Sequence, residues 1–295
     1  LPQTWYRSDD DLPDILDYDI IKSDRTYLYF KGKPLYPFGH GLTYTSFRYG
    51  TPKLSTRSVA ADGAVRVSVP VTNTGRVAAD EVVQLYTSQR TSRVKQPLKQ
   101  LRAFQKVRLA PGQTTTVTFT LRAADLAHWD VTRDKWTVEN AVHDVLIGAS
   151  SADIRQRAAL KVRGETVPAR DLSEPTRAAD FDDHHGAELV DESKARGDAV
   201  GAKAGTWIAF ADADLGRGVT GIQVRASRAD AGDATIQVRL GGPNGRTVAT
   251  VTVPSTGDKY AYRDLAAPVS RAAGRQDVYL VFDGDVRLSS FSFTK

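Results

Sequence analysis

From about residue 60 onward, apolar and polar positions alternate along the chain. Val65-Arg66-Val67-Ser68-Val69 alternates strictly, as do Thr116-Val117-Thr118-Phe119-Thr120-Leu121 and Thr235-Ile236-Gln237-Val238-Arg239-Leu240. A period of two predicts strands that give one face to a core. Val82, Gln84 and Tyr86 fall on one face of such a strand, and Val83 and Leu85 on the other. Asn73-Thr74-Gly75, Pro111-Gly112 and Pro243-Asn244-Gly245 supply turn chemistry between the runs. In the first of these the glycine is expected to relieve a positive φ. Helical periodicity is almost absent. Many short strands joined by turns predict a mostly β protein made of two β-sandwich domains, not a parallel α/β sheet.

The first 50 residues follow no such pattern. They hold five of the 11 tyrosines before residue 40, with Trp5, Phe30, Phe38 and Phe47. That much apolar surface predicts packing against a partner, much of which is expected to be missing from this chain. A second break falls at residues 164–176, a polar stretch with Pro168 and Pro175 and no aromatic residue, which reads as a linker. The resulting division is an irregular segment at 1–50, a sandwich at 51–163, a linker at 164–176 and a second sandwich at 177–295.

Length agrees, since 295 residues predict about two domains. Charged residues at 25% and hydrophobic residues at 41% fit a globular chain and exclude a disordered one. No apolar run reaches the ~20 residues of a membrane helix. The absence of cysteine excludes disulfides, thiolate metal sites and a cysteine nucleophile. Methionine is absent too, so Leu1 is expected to be a cut, a processing site or the start of a fragment.

Charge is unevenly spread. Residues 51–163 carry 18 Lys/Arg and 9 Asp/Glu, whereas residues 164–295 carry 16 and 19. Arg90, Arg93, Lys95, Lys99, Arg102, Lys106 and Arg108 form a run with no acid among them. Phe104 alone accompanies them, so no stacking platform for a nucleic acid is present, and a solvated or domain-facing loop is the favoured reading. Candidate chemistry is sparse. Asp9-Asp10-Asp11 and Asp182-Asp183 are dense in carboxylates but sit among turn residues, with nothing to raise the pKa of one partner over the other. Asp182-Asp183-His184-His185 has metal-ligating types, yet neighbours in sequence do not converge on one ion without a sharp turn. Trp129 and Trp136 read as core or interdomain anchors. No nucleophile elbow, Walker loop or His-Glu-Xaa-Xaa-His motif is present.

Lys33-Pro34-Leu35-Tyr36-Pro37-Phe38-Gly39-His40-Gly41-Leu42-Thr43-Tyr44-Thr45 resembles the segment that joins the α/β domain of glycoside hydrolase family 3 to its fibronectin type III-like domain. The resemblance begins at Leu1-Pro2-Gln3-Thr4-Trp5-Tyr6 and Asp17-Tyr18-Asp19-Ile20. It continues through Asp80-Glu81-Val82-Val83-Gln84-Leu85-Tyr86 and Val145-Leu146-Ile147-Gly148-Ala149-Ser150-Ser151. Ala141-Val142-His143 departs from it, since the family usually has a glycine and then an aromatic residue there. The resemblance implies that residues 1–50 are the end of an α/β domain and that the first sandwich is fibronectin type III- or immunoglobulin-like. That family hydrolyses terminal β-linked sugars with retention through two carboxylates. Its nucleophilic Asp and its acid/base Glu belong to upstream domains, so the resemblance assigns no catalytic residue here.

Gly205-Thr206-Trp207-Ile208-Ala209-Phe210, Val224-Arg225-Ala226-Ser227 and Val251-Thr252-Val253-Pro254-Ser255-Thr256-Gly257 resemble a family 6 carbohydrate-binding module, a jelly-roll sandwich. The resemblance implies a structural calcium held by a Glu and an Asp, at positions occupied here by Ala179 and Ser289, with Asp180, Glu188 and Glu192 as nearby alternatives. It also implies a sugar cleft built on Tyr, Trp and Asn, where this chain has Ala202, Lys259 and Arg287. Tyr260 and Tyr262 stand beside the lost Trp, and their spacing predicts one shared strand face. The expected sugar contacts are therefore Tyr260, Tyr262, Lys259 and Arg287, while Trp207 is assigned to the core. The function so implied is the non-catalytic C-terminal part of a secreted family 3 β-glucosidase or β-xylosidase, needing no cofactor. It would brace the upstream catalytic domains and bind polysaccharide, with no nucleic acid or membrane partner. A free-standing carbohydrate-binding protein and a structural module with a degenerate cleft are the competing readings.

Overall fold

The computed structural model describes residues 1–15, 19–193 and 195–295, so Asp17 and Tyr18 lie outside the described residues. The chain forms two compact units, Leu1–Val167 and Pro168–Lys295.

The first unit is a sandwich of two sheets. Its strands are β1 (Phe47–Tyr49), β2 (Lys53–Leu54), β3 (Ser58–Ala60), β4 (Ala64–Asn73), β5 (Ala79–Gln89), β6 (Gln100–Leu109), β7 (Thr114–Arg122), β8 (His128–Asp130), β9 (Lys135–Thr137), β10 (Ala141–Gly148) and β11 (Ile154–Arg163). One sheet has the order β1-β4-β2 with β7 also on β4, and the other runs β3-β11-β10-β5-β6. The alternation on β4 does what it predicts: Val65, Val67, Val69 and Val71 are all at most 1% exposed. They meet Val83 and Leu85 of β5 and Val145 and Ile147 of β10 in one core. Asn73 is wholly buried and closes the turn after β4, its amide donating to the carbonyls of Val77 (2.8 Å) and Leu109 (3.0 Å). Gly75 is not in the left-handed region, contrary to expectation. Its glycine requirement is one of space, because a Cβ there would lie 2.1 Å from Thr45 Oγ1.

The outward face of β5 explains the first 50 residues. Gln84 and Tyr86 point away from the core, yet both are buried. The Gln84 amide donates to the carbonyls of Gly39 (3.0 Å) and Ala149 (2.6 Å), and Tyr86 donates to Gln84 Oε1. Phe38 stacks on Tyr27 at 4.1 Å, and Tyr27 meets Tyr86 edge-on at 6.3 Å. Gly39 has φ +79°, and a Cβ on it would fall 2.1 Å from Gln84 Oε1. The described residues ahead of β1 thus pack on the sheet as part of the first unit, while Ile15, Leu42 and Tyr44 remain 82%, 93% and 97% exposed.

The basic run is consumed internally. Arg90 pairs with Asp144, Lys95 with Asp24, and Lys106 with Asp80, whose carboxylate Arg108 also approaches. Lys99 donates to the carbonyl of Ser151, and Arg102 to Thr87 Oγ1 and the carbonyl of Asp125. These cations fasten loops and strands and do not form a charged stripe. Among the described residues, no helix is long and apolar enough to cross a membrane.

The second unit is an antiparallel jelly roll. Its strands are β12 (Thr176–Arg177), β13 (Asp183–His185), β14 (Glu188–Ser193), β15 (Gly197–Ala202), β16 (Trp207–Asp214), β17 (Val219–Ser227), β18 (Ala234–Leu240), β19 (Arg246–Val253), β20 (Arg263–Ala272), β21 (Arg275–Phe282) and β22 (Val286–Thr294). The sheets are β14-β15-β22-β17-β20, with β12 on β22, and β13-β16-β21-β18-β19. Ile208, Phe210, Ile236, Leu280, Leu288 and Phe291 fill the space between them.

Residues 164–176 do not form the free linker their composition suggests. Glu165 bridges to Glu139, and its carboxylate holds Lys135 and Arg133 at 2.8 Å. Arg170 is 3% exposed, lies over the Phe210 ring at 5.1 Å and donates to the Asp180 carbonyl. Leu172 is wholly buried in the second core, and its carbonyl accepts from Phe293 N at 2.7 Å. One leucine and one arginine stem are enough to dock a segment but too few to show as a pattern.

Two outcomes follow from this packing. Leu172→Ala should destabilise the second unit by about 2–5 kcal/mol, seen as a lower melting temperature, whereas a free linker would move it by no more than about 0.5 kcal/mol. His143 of β10 is 3% exposed. Burial foremost, with Arg102 nearby, lowers its pKa to about 4, against the pull of Glu139 and Asp144. As pH falls from about 6.5 to about 4, the unfolded imidazole takes a proton that the folded one refuses, so stability declines by up to ~1.4 kcal/mol per pH unit. Protection factors of the β10 amides, taken relative to intrinsic exchange at each pH, should fall across that window, and His143→Phe should flatten the response.

Candidate functional site

One end of the second unit brings Lys259 and Arg287 together from distant parts of the chain, while Ala202, on β15 beside the strand of Arg287, is buried in the core. Arg287 sits on β22, opposite Gly201 of β15 on one side and Ser227 of β17 on the other. Ser227 Oγ donates to the Lys259 carbonyl at 2.7 Å and pins the loop between β19 and β20. Thr256 fastens the same loop, its hydroxyl donating to the Arg228 carbonyl and accepting from Arg228 N. A recess of about 250 Å³ results, lined by Ser227, Arg228, Asp230, Lys259, Asp285 and Arg287. A smaller one of about 90 Å³ lies on the other side of Arg287 and Asp285 and includes Ala202 and Glu188.

Tyr260 and Tyr262 do not share a strand face. The chain turns at 258–261, with Ala261 N bonded to the Asp258 carbonyl and Tyr260 N to Asp258 Oδ1, and β20 begins only at Arg263. Alternation applies to extended backbone, and here the backbone bends. Tyr260 is 52% exposed, with Lys259 Nζ and Arg287 Cζ each 5.2 Å from its ring centroid. Tyr262 is half-buried under Arg225, 5.8 Å away, and burial raises its phenol pKa.

Trp207 is not a core residue. Ile208 and Phe210 take the inward positions of β16, so Trp207 faces out. Its ring stacks on His185 at 6.3 Å and approaches Tyr279 at 5.4 Å. Cross-strand register continues the row through Val281 to Gln237, and the next row holds Tyr279 and Arg239. This half-exposed aromatic face was legible in the alternation around Ile208 and was missed because tryptophan favours interiors. In the first unit, Trp129 and Trp136 are likewise outside the core. They face each other across β8 and β9 at 5.8 Å, 46% and 68% exposed.

The acidic clusters do not converge. Ser8 caps the turn of Asp9–Asp11, which is exposed. Asp182 accepts from Arg170 and from Ala211 N, while His185 turns to Trp207. No group of three or more metal-ligating side chains occurs among the described residues. The calcium implied for the second sandwich does not fit the residues present. Ala179 has no side-chain ligand atom, and Ser289 Oγ donates to Glu192 Oε2 at 2.6 Å. The other oxygen of Glu192, itself 6% exposed, accepts from Arg225 Nε at 3.2 Å. The partly exposed Arg225 guanidinium already neutralises that carboxylate, and a divalent cation beside it would be repelled.

Comparison with known proteins agrees with both sandwiches. Residues 81–151 match the fibronectin type III-like domain and residues 177–295 match the carbohydrate binding module (family 6). The chain is 40% identical over 137 residues to beta-glucosidase BoGH3A of Bacteroides ovatus, covering 46% of this chain and 18% of that protein. It is 44% identical over 147 residues to a beta-xylosidase of Formosa agariphila, covering 49% and 20%. The chain therefore spans about a fifth of the length of these relatives. Among solved structures it resembles CsCBM6-3 of Clostridium stercorarium, determined with cellobiose, at 32% identity and a TM-score of 0.41 over 44% of this chain and 99% of that one. Residues 81–151 are thus a fibronectin type III-like domain and residues 177–295 a family 6 carbohydrate-binding module, in a chain homologous to part of the family 3 β-glycosidases and without their catalytic groups.

Proposed function

We propose that this chain is the non-catalytic C-terminal part of a family 3 β-glycosidase acting on terminal β-glucosides or β-xylosides outside the cell. The second unit binds polysaccharide, and the first braces the catalytic domains. The observation that carries the binding role is the outward face of Trp207, Tyr279 and His185 over two adjacent rows, with Gln237 and Arg239 beside them. An aromatic plane takes the C–H face of a pyranose, and planar polar side chains beside it take the hydroxyls. The loop cleft with Tyr260, Tyr262, Lys259 and Arg287 is the second contact surface in this reading. Binding through the module raises the local concentration of chain ends at the active site by tethering. The bracing role rests on the exposed apolar groups of the first segment, Ile15, Leu42 and Tyr44 among them, which suit burial against another domain.

Affinity electrophoresis in gels containing β-glucan, xylan or acidic glycans tests the binding role. The intact chain should be retarded by at least one of them without releasing reducing sugar. Trp207→Ala should weaken retention on neutral glycan by about 3- to 10-fold, the ~0.5–1.5 kcal/mol of one stacked ring. Migration unchanged by every glycan would leave only the structural-module reading.

A further inference from the structure

We infer that the loop cleft of the second unit takes an anionic sugar, one carrying a carboxylate or a sulfate, while neutral glycan is left to the Trp207 face. The inference rests on the reading of this unit as a carbohydrate-binding module and adds the class of ligand.

Three observations carry it. First, the ring that a neutral pyranose would need is already occupied. Lys259 Nζ and Arg287 Cζ both stand 5.2 Å from the centroid of Tyr260. Each such contact is worth roughly 0.5–1 kcal/mol at an exposed site. A neutral sugar stacking on Tyr260 forfeits those contacts. An anionic sugar needs no displacement, because it binds the outward N–H groups of the same cations. Arg287 offers a planar fork suited to carboxylate or sulfate, and Lys259 a mobile point charge.

Second, those two cations are not neutralised. Among the described residues, Arg287 donates only to the Asp191 carbonyl, at 3.2 Å, and neither Arg287 nor Lys259 makes an ion pair. Nearby cations are engaged otherwise. Arg225 pairs with Glu192 and Asp264, and Arg228 is spent on the carbonyls of Gly232 and Asp285 with Asp230 at 4.0 Å. The cleft lining holds Arg228, Lys259 and Arg287 against Asp230 and Asp285, and so keeps a positive excess.

Third, this excess is local. Residues 168–295 carry 16 Lys/Arg and 18 Asp/Glu, so the unit as a whole has no positive excess to attract polyanions. A basic recess on an acidic body attracts anions at one place only. Its volume of about 250 Å³ is enough for one sugar ring and its substituent.

The test is calorimetric titration of the intact chain with four probes: oligogalacturonate, glucuronoxylan, the same glucuronoxylan after carboxyl reduction, and a sulfated galactan. At low ionic strength glucuronoxylan should bind at least tenfold more tightly than its reduced form, and the gap should close as salt rises. Lys259→Gln and Arg287→Gln should abolish the gap and spare binding to the reduced polymer, whereas Trp207→Ala should do the reverse. Preference for the sulfated galactan over both uronates, lost in the same two variants, would assign the anion as sulfate. Equal affinity for native and reduced xylan, with no preference for the galactan, would overturn the inference and leave the binding role standing. An anion preference that survives both cleft substitutions would overturn it as well. No binding to any probe would overturn the binding role itself.

Discussion

A β-strand gives every second side chain to each face of its sheet, so a sandwich settles only half of its residues by burial. The other half must be covered, charged or put to use. The two units of this chain resolve that constraint in opposite ways. In the first, the outward side of β5 would expose Gln84 and Tyr86, and the N-terminal segment lies over it instead. Gln84 is the tie: its single amide group satisfies a carbonyl of the covering segment and one of the sheet's own loop. In the second unit, the outward rows of β16 and β21 carry Trp207 and Tyr279, both partly exposed.

Charge is handled with the same contrast. The cations of residues 90–108 fasten loops and strands within the first unit, so a run that looks like a footprint for phosphates spends its charge internally. In the second unit, Arg225 and Arg170 are also structural, one answering Glu192 and the other lying over Phe210. Lys259 and Arg287 differ because neither enters an ion pair among the described residues, and the turn at 258–261 sets Lys259 against the ring of Tyr260.

What the sequence disclosed followed from period and order. The buried valines of β4 and the outward position of Trp207 both follow from alternation. Only a preference for placing large rings inside obscured the second. The meeting of Lys259 and Arg287 was legible through resemblance, because their separation in the chain offers no local signal. Other features were illegible for physical reasons. Gly75 is required by the approach of Thr45, 30 residues earlier, and no local rule reports a distant neighbour. Tyr260 and Tyr262 part company because a turn breaks the extension that their spacing assumed. Leu172 anchors a polar segment alone, below the threshold at which periodicity can be seen.

That Glu192 is answered by Arg225 and Ser289 within the chain has a consequence for where the second unit can work. Polyuronates and sulfated galactans are themselves chelators, and their gels sequester divalent ions from the surrounding water. A sandwich braced by such an ion would lose it in a matrix of that kind. One braced by a covalently attached guanidinium keeps its brace at any mineral concentration, so its shape and its surroundings are decoupled.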